Sequence, residues 1–515
     1  MARYGSDRIR GHGIPEALES ILLNGSKVEP RLAILKPLSS AISIGSGGPF
    51  GAEGPIIMTG GAFGSIFAQL LKLTSAERKT LLVAGAAAGM SATFAAPVSS
   101  AILAIELLLF ELKPRSAIPV LLAAATAGIG RRYVFGLGPL FPVPPGPLFI
   151  GPAGIAGCII AGLLAGILSL LLTRGVYAAE DLFHRLPIHW MWWPAIGGIV
   201  VGLGGLIFPQ ALGVGYDTIG AMLRGNVAMR VIAGVLLVKS VIWIVSLGSG
   251  TSGGVLAPLL MMGAALGGVE SMFLPQESAG FWPLVSMAAV LAGTMRAPFT
   301  GIVFALELTH DINILLPLMV AAALSYGVTV LLLRRSILTE KIARRGYHLS
   351  AEYAIDPLEI LLAREVMRTN LVVLPSTLTL GELRNTRLHE PSPAGQHLYP
   401  VVDSGRHIHG VITRRDLRKW IDAQEDGSRT LGELSKVPVT ARADEPLRVV
   451  VQRMAETGFT RLPVIDSRAD TLAGMVSLND LLQARVHNLN EERKRERVLR
   501  LQTFLPFQST AASKR

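Results

Sequence analysis

The sequence predicts an all-α, polytopic membrane domain built from two related halves, followed by a smaller soluble α/β region. Half of the 515 residues are hydrophobic, only 17% are charged and the mean hydropathy is +0.48. An ordinary soluble domain carries about 25% charged residues. Apolar runs fill most of residues 35–335, and charge becomes frequent only beyond Leu338. A glycine-rich segment at residues 45–55 also has a counterpart at residues 248–258.

Several apolar runs approach the ~20 residues that a helix needs to cross a bilayer. We expect these runs to be membrane spans in a multi-pass protein of the cell or inner membrane. They are Gly151–Leu172, Trp192–Phe208, Val231–Leu247 and Ile314–Leu333. The soluble-core alternative is disfavoured because so many long runs carry almost no charge.

The formal net charge of +11 does not indicate a nucleic-acid partner. Basic residues stand in pairs at the ends of apolar runs, as at residues 131–132, 334–335 and 344–345, which is typical of the cytoplasmic side of membrane spans. Cys158 is the single cysteine, which excludes a disulfide framework and a cysteine metal site. With no catalytic triad and no metal-ligand cluster in the sequence, we expect a protein that is not an enzyme and binds no metal.

The central motif is GSGGPFGAEGP, from Gly45 to Pro55, with one carboxylate, Glu53. Dense glycine leaves backbone amides open to a ligand. A proline just past such a loop suits the first turn of a helix, whose free N–H groups attract anions. Glu53 is either a cap of this helix or a functional group. We favour function because an ionised side chain at membrane depth is costly.

The pattern recurs further along the chain. Gly213-Val214-Gly215 repeats Gly11-His12-Gly13, and GSGTSGGVLAP (Gly248–Pro258) repeats the central motif. The segment Ser91–Leu107 returns as Gly293–Leu308, with Glu307 in the place of Glu106, which favours a shared structural role for these two acids. Repeats with glycine-interrupted helices at matching places are typical of transporters, whose site lies at the repeat interface. These patterns predict an anion site but leave open whether the repeats are inverted.

The soluble region contains a second, smaller repeat after a charged connector. Its units are Tyr399–Asp403 with Gly410–Leu417, and Leu462–Asp466 with Gly474–Leu481. Each predicts a strand, a turn, a second strand and a helix capped by Thr413 or Ser477. The Arg/Glu-rich stretch after Asn488 predicts a helix that fades into a solvated end.

Together, GHGIPEAL, GSGGPFGAEGP and GGVLAP resemble the CLC family of chloride channels and proton-coupled chloride exchangers, and the two C-terminal units resemble a tandem pair of CBS domains. The resemblance implies two inverted repeats of broken helices, a homodimer with one anion pathway per subunit, and cytoplasmic CBS domains. It divides the chain into a transmembrane domain (1–338), a linker (339–364), two CBS domains (365–425 and 432–488) and a polar tail (489–515).

The same resemblance assigns roles to residues of the pathway. Glu53 becomes a gate that occupies an anion site and swings aside for chloride. The anion-binding positions are His12, Gly51, Gly54, Val255 and Leu256, the last two through backbone amides. His12 stands where the family often has serine, and a merely packed histidine is an equal alternative.

Three departures from the family pattern bear on mechanism. Ala52 replaces the arginine that the family usually has beside the gate. Leu107 occupies the position of the inner glutamate that carries protons in many exchangers, and Leu338 occupies the position of the tyrosine of the central site. These leucines favour a channel-like or uncoupled protein over a proton-coupled exchanger. A membrane-bound nucleotide sensor that has lost transport is the rival from another class.

In the CBS pair, Asp416 and Asp480 match the ribose-binding acids of nucleotide-binding members, with Thr413 and Ser477 placed for phosphate. The alternative is a pair that binds nothing and only transmits conformation. We expect no required cofactor for transport, with an adenine nucleotide as the candidate ligand of the CBS pair.

The two halves differ before their first glycine motif. Two apolar elements, Gly151–Arg174 and Trp192–Phe208, precede Gly213, whereas only ten residues precede Gly11. We therefore expect a truncated N-terminus that lacks the first two membrane helices, and a chain that is poorly stable or inactive without them.

Overall fold

The computed structural model describes residues 5–109, 113–136, 138–143, 146, 149–344, 361–385, 396–423 and 426–495. The chain divides into two compact units, within Met1–Tyr353 and Ala354–Arg497, and each is described by itself. Most of the predicted linker (339–364) and most of the predicted polar tail (489–515) lie outside the described residues.

The first half of the membrane unit is a series of helices interrupted by glycine- and proline-containing loops. A π-helix, Ile105–Leu109, directly continues the fifth of them. The helices are α1 (Ile14–Leu23), α2 (Leu32–Gly45), α3 (Glu53–Leu70), α4 (Ser75–Phe94), α5 (Pro97–Ala104) and α6 (Pro114–Phe135).

The second half repeats this order after a long helix. Short 3-10 helices at Trp190–Trp192 and Pro209–Ala211 flank the second of its helices. The helices are α7 (Pro152–Arg185), α8 (Trp193–Ile207), α9 (Tyr216–Leu223), α10 (Met229–Gly248), α11 (Leu256–Glu270), α12 (Phe281–Met295), α13 (Pro298–Thr309), α14 (Leu315–Leu332) and α15 (Glu340–Arg344).

The internal repeat is visible in the backbone. The chain leaves α4 through Ala95 in the left-handed region (φ 56°) and leaves α12 through Arg296 in the same conformation (φ 57°). In both cases a proline then opens the next helix, Pro97 in α5 and Pro298 in α13. Proline suits this first helical position because its missing N–H would have had no helical partner.

Five helices in the described part of the chain are long and apolar enough to cross a membrane. Four of them overlap the runs expected from the sequence, and the fifth is Pro114–Phe135. The predicted span that begins at Gly151 is too short, because α7 continues to Arg185 through a polar segment. In this extension Val176, Tyr177 and Phe183 are buried, so packing inside the unit keeps the polar segment helical.

The second unit contains two three-stranded sheets of the same topology. In each sheet a short first strand lies parallel to the second, which pairs antiparallel with the third. The first repeat comprises α16 (Ala363–Val366), β1 (Leu374–Pro375), α17 (Leu380–Asn385), β2 (Leu398–Val402), β3 (Ile408–Thr413) and α18 (Arg414–Asp422). The second comprises α19 (Leu431–Leu434), β4 (Ala441–Arg442), α20 (Leu447–Thr457), β5 (Arg461–Ile465), β6 (Leu472–Ser477) and α21 (Leu478–Arg495).

The two sheets are tied together by an exchange of their leading segments. Arg368, which precedes the first sheet, forms a bridge with Met475 of the second, and Lys436, which precedes the second sheet, forms a bridge with Val411 of the first. The helices after β3 and β6 begin where the sequence predicts, since Thr413 accepts the N–H of Asp416 and Ser477 accepts that of Asp480.

Candidate anion site

The two glycine-rich loops of the membrane unit meet in a short antiparallel bridge. The N–H of Gly51 donates to the carbonyl of Gly254 at 3.0 Å, and the N–H of Gly254 returns the bond at 2.7 Å. As a result α3 and α11, which follow these loops, begin beside each other. The first N–H groups of a helix have no partner within the helix and carry its positive dipole end. Two such ends therefore converge on one spot.

Glu53 is the first residue of α3 and its side chain is fully buried at this spot. The hydroxyl of Tyr216 donates to its Oε1 at 3.3 Å, and the N–H groups of Ala257 and of Glu53 itself face the carboxylate and favour its negative charge. Oε2 has no hydrogen-bond partner among the described residues. The ammonium group of Lys239 interacts with the carboxylate electrostatically. The donors that surround Glu53 are those that a small anion would need.

The predicted amide donors divide into two groups. Val255 and Leu256 lie at the start of α11, where their N–H groups have no helical acceptor. The N–H of Gly51 is different, because the bridge to Gly254 already uses it. Ala257, which no motif of the sequence singles out, is the α11 residue whose N–H faces the carboxylate of Glu53.

Gly54 serves close packing. A Cβ atom added at this residue would lie 1.6 Å from the carbonyl oxygen of His12, so only glycine lets the loop before α1 reach the start of α3. This contact brings His12 to the same region as Glu53. The predicted set of His12, Glu53, Gly54, Val255 and Leu256 is thus drawn together by the loops of both halves.

His12 is buried and its Nδ1 has no hydrogen-bond partner among the described residues. Glu16 lies beside it and is held by Lys341, whose Nζ is 2.6 Å from Glu16 Oε1. His12 lines a cavity of about 390 Å³. The basic residues that share the lining are Arg8, Arg10, His184 and Lys341.

Two buried lysines occupy matching places in the two halves, and the sequence interpretation missed both. Lys36 of α2 donates to the carbonyls of Ile9 and Gly11 at 2.8 and 2.7 Å. Lys239 of α10 donates to the carbonyl of Gly213 at 2.5 Å. The sequence does carry a signal for these lysines. Each is the single lysine of an otherwise apolar run, and each lies at the same distance before a glycine motif. Each ammonium group fixes the loop that leads into the site.

The two leucines that depart from the family pattern are buried. Leu107 lies within the π-helix Ile105–Leu109, and Leu338 is 1% exposed. A tyrosine hydroxyl lies near Leu338, because Tyr177 donates to the carbonyl of the preceding residue, Ile337, at 2.5 Å. Neither leucine side chain can carry a proton or donate a hydrogen bond to an anion.

In the CBS-like unit, both candidate ribose-binding acids already have partners. Asp416 accepts from the hydroxyl of Thr413 at 2.9 Å and from Lys436 at 3.3 Å. Burial opposes ionisation of Asp416, but these two hydrogen bonds hold its pKa below the usual range. Asp480 accepts from Arg368 at 2.8 Å and from Ser477 at 2.5 Å. A ribose would have to compete with these contacts.

Comparison with known proteins agrees with this geometry. Residues 1–330 match the sequence model of the voltage gated chloride channel family, and residues 363–423 and 431–487 match that of the CBS domain. The chain belongs to the CLC family of chloride channels and chloride/proton exchangers. It is accordingly a membrane protein of chloride transport with a tandem CBS region.

Among curated CLC relatives, a putative chloride channel protein ClcB-like of Ralstonia nicotianae is 30% identical over 334 residues, which cover 63% of this chain and 78% of that protein. The H(+)/Cl(-) exchange transporter ClcA of Citrobacter koseri is 32% identical over 353 residues, which cover 64% and 72%. These CLC relatives are named as channels or transporters, not as enzymes.

Two solved CLC structures share the fold at lower identity. A slow cyanobacterial Cl−/H+ antiporter superposes with a TM-score of 0.60 at 24% identity, over 67% of this chain and 83% of that one. A eukaryotic CLC transporter superposes with a TM-score of 0.56 at 19% identity, over 93% and 86%. The predicted fold class, a helical CLC-type membrane domain followed by a tandem CBS region, is therefore correct.

Proposed function

We propose that this chain moves chloride across a membrane through a pathway between its two halves, and that Glu53 gates this pathway. The observation that carries the proposal is the position of the Glu53 carboxylate among the N–H groups at the start of α3 and α11. A carboxylate and a chloride ion compete for such donors because both are anions of similar hydrogen-bonding demand. Chloride passes when the side chain leaves.

Passive or uncoupled conduction is the form of transport that Leu107 and Leu338 favour. Proton-coupled exchange commonly needs groups that hold a proton at membrane depth, and neither residue can do so. The second candidate is H+/Cl− exchange, and the names of relatives such as the Citrobacter koseri transporter favour it. In this alternative Glu53 would carry the proton as well as gate the anion.

Flux measurements in proteoliposomes with opposed chloride and proton gradients separate these candidates. For conduction, chloride moves down its own gradient and does not drive protons uphill. Uphill proton movement driven by chloride would identify an exchanger. Absence of chloride flux together with absence of chloride binding in calorimetry would contradict the proposed function and favour the transport-dead sensor.

We further propose that His12, Gly54, Val255 and Leu256 line the anion pathway, that the protein is a homodimer and that its CBS domains lie in the cytoplasm. The unpartnered Nδ1 of His12 supports the first part, because a buried imidazole without a protein partner is suited to a bound ligand. Cross-linking in intact membranes tests the dimer, and protease protection in sealed vesicles tests the CBS location.

Transport on this proposal needs no cofactor, and an adenine nucleotide is the ligand proposed for the CBS pair. Thr413, Asp416, Ser477 and Asp480 are its candidate contacts. A nucleotide at this site would have to displace the ion pairs that Lys436 and Arg368 form with the two acids.

A further inference from the structure

We propose that Tyr216 is a positioning residue of the gate and the hydroxyl donor to the transported anion. The inference deepens the proposed function and rests on it. No sequence motif singles out Tyr216, and the family's usual hydroxyl donors are replaced in this chain by His12 and Leu338. The structure places another hydroxyl at the gate.

Tyr216 reaches Glu53 from the opposite half of the membrane unit. It is the first residue of α9, directly after Gly215, whose left-handed backbone (φ 82°) turns the chain into the helix. Glu53 begins α3 in the first half. The contact between them therefore crosses the interface at which we place the pathway.

The ring of Tyr216 is held by two other aromatic rings. Phe94, at the end of α4, packs edge-on with ring centroids 6.3 Å apart, and Phe141 does so at 6.1 Å. Edge-to-face packing of this kind contributes beyond simple burial. The hydroxyl is thus aimed by a rigid setting, as a positioning group must be.

Each group that faces the Glu53 carboxylate comes from a different helix. Tyr216 belongs to α9, the cation Lys239 to α10 and the N–H of Ala257 to α11. Lys239 is already bonded to the carbonyl of Gly213, so its ammonium group is partly committed. The phenol is a neutral donor that bonds either a carboxylate or a halide without a change of charge.

Two consequences follow from this geometry. While Glu53 is ionised and in place, the hydrogen bond at 3.3 Å favours the closed gate. When Glu53 leaves, the same hydroxyl points to the position that its Oε1 held and donates to the anion that enters. A directed donor favours chloride, which carries its charge on one atom, over nitrate, which spreads its charge over three oxygens.

Tyr216→Phe tests both consequences because it keeps the ring and removes only the hydroxyl. In proteoliposomes we expect the ratio of chloride flux at pH 8 to that at pH 5 to rise by up to tenfold, which is the effect of one hydrogen bond of about 1.4 kcal/mol. The chloride-to-nitrate flux ratio falls severalfold. The matched control is Tyr326→Phe in α14, which removes a hydroxyl that makes none of the described contacts with Glu53 and should leave both ratios unchanged.

A second measurement does not depend on transport. In the Glu53→Gln background, calorimetry should show severalfold weaker chloride binding after Tyr216→Phe than before it. Equal chloride affinity, or flux ratios like those of the unaltered protein, would overturn the role of Tyr216 and leave the gate itself intact. Loss of flux and of chloride binding in the unaltered protein is a different outcome, because it removes the proposed function together with this inference.

Discussion

Glu106 and Glu307 form a reciprocal pair of helix caps. Glu106, which follows α5, caps the start of α13, and Glu307, which lies in α13, caps the start of α5. The carboxylate of Glu106, just after α5, accepts the N–H and the hydroxyl of Thr300 at 3.0 and 2.5 Å, at the start of α13. The carboxylate of Glu307, near the end of α13, accepts the N–H groups of Val98 and Ser99 at 2.9 and 2.7 Å, at the start of α5. Acids stabilise helix N-termini, so the two halves hold each other.

Removal of one cap should weaken this junction. Glu307→Ala leaves the donors at the start of α5 without their acceptor, and we expect a loss of about 1–2 kcal/mol in the free energy of unfolding. Thermal unfolding of the detergent-solubilised protein measures the loss. Glu307→Gln is the matched control, because its side-chain oxygen can still accept one bond. Equal stability of the alanine variant and the unaltered protein would show that the cap contributes nothing.

The gate predicts a specific change in pH dependence. Glu53→Gln mimics the protonated side chain, which competes poorly with chloride for the surrounding N–H groups. We expect chloride flux to persist in this variant while its dependence on pH disappears, together with any proton coupling. Flux is measured in proteoliposomes from pH 5 to pH 8. Glu307→Gln removes a carboxylate elsewhere and should retain the pH profile. If Glu53→Gln retains it as well, Glu53 is only a helix cap.

The CBS pair allows a direct test of nucleotide binding. If Asp480 contacts the ribose, Arg368→Gln should strengthen binding of an adenine nucleotide several-fold by releasing the acid, and Asp480→Asn should weaken it. Calorimetry on residues 361–495, within the compact second unit, with ATP, ADP and AMP at millimolar concentration measures both effects. Heat in none of these titrations would assign the pair a purely mechanical role.

An ion pair in the second CBS repeat should make stability depend on pH. Arg453 donates to both carboxylate oxygens of Glu445, at 2.8 and 2.9 Å, and these bonds hold the pKa of Glu445 below its usual range. Because the folded-state pKa is the lower one, the stabilisation is present above the ordinary carboxyl pKa and is lost as pH falls through the folded value. Because solvent screens this partly exposed pair, the stabilisation at neutral pH is at most about 1 kcal/mol.

Glu445→Gln should therefore lower the melting temperature of residues 361–495 at pH 7, and the difference should shrink in acid. Thermal melts monitored by circular dichroism from pH 7 down to pH 3 measure this difference in melting temperature. The control is Glu433→Gln, which alters an exposed carboxylate of α19 away from the Glu445–Arg453 pair. A deficit that stays constant over the whole pH range would rule out the ion pair as its source.

Much of the fold follows from local features of the sequence. The hydropathy of the apolar runs predicts α8, α10 and α14 because a membrane span needs only length and the absence of charge. The strands and capped helices of the CBS region follow from short alternating patterns with Thr413 and Ser477 at the boundaries. The length of α7 was missed, since its polar end is stabilised by burial within the unit and not by its own composition.

The candidate site was predictable only where one motif supplies it. Glu53 and the first turn of α11 stand out because glycine and proline surround them. Tyr216 and Lys239 do not, because each acts on residues that lie far away in sequence, and no local pattern records a contact between the two halves. The same limit applies to Gly51, whose N–H is taken by a residue of the other half.

The bridge between Gly51 and Gly254 has a consequence for how this gene can change. A Cβ atom at Gly51 would lie 1.8 Å from Oε2 of Glu53, so a substitution there collides with the gate before it touches anything else. The backbone of one duplicated half is also the hydrogen-bonding partner of the other at this point. A substitution at Gly51 or Gly254 therefore disturbs the backbone of both halves. The two halves must consequently evolve together at the residues where an ion would cross between them.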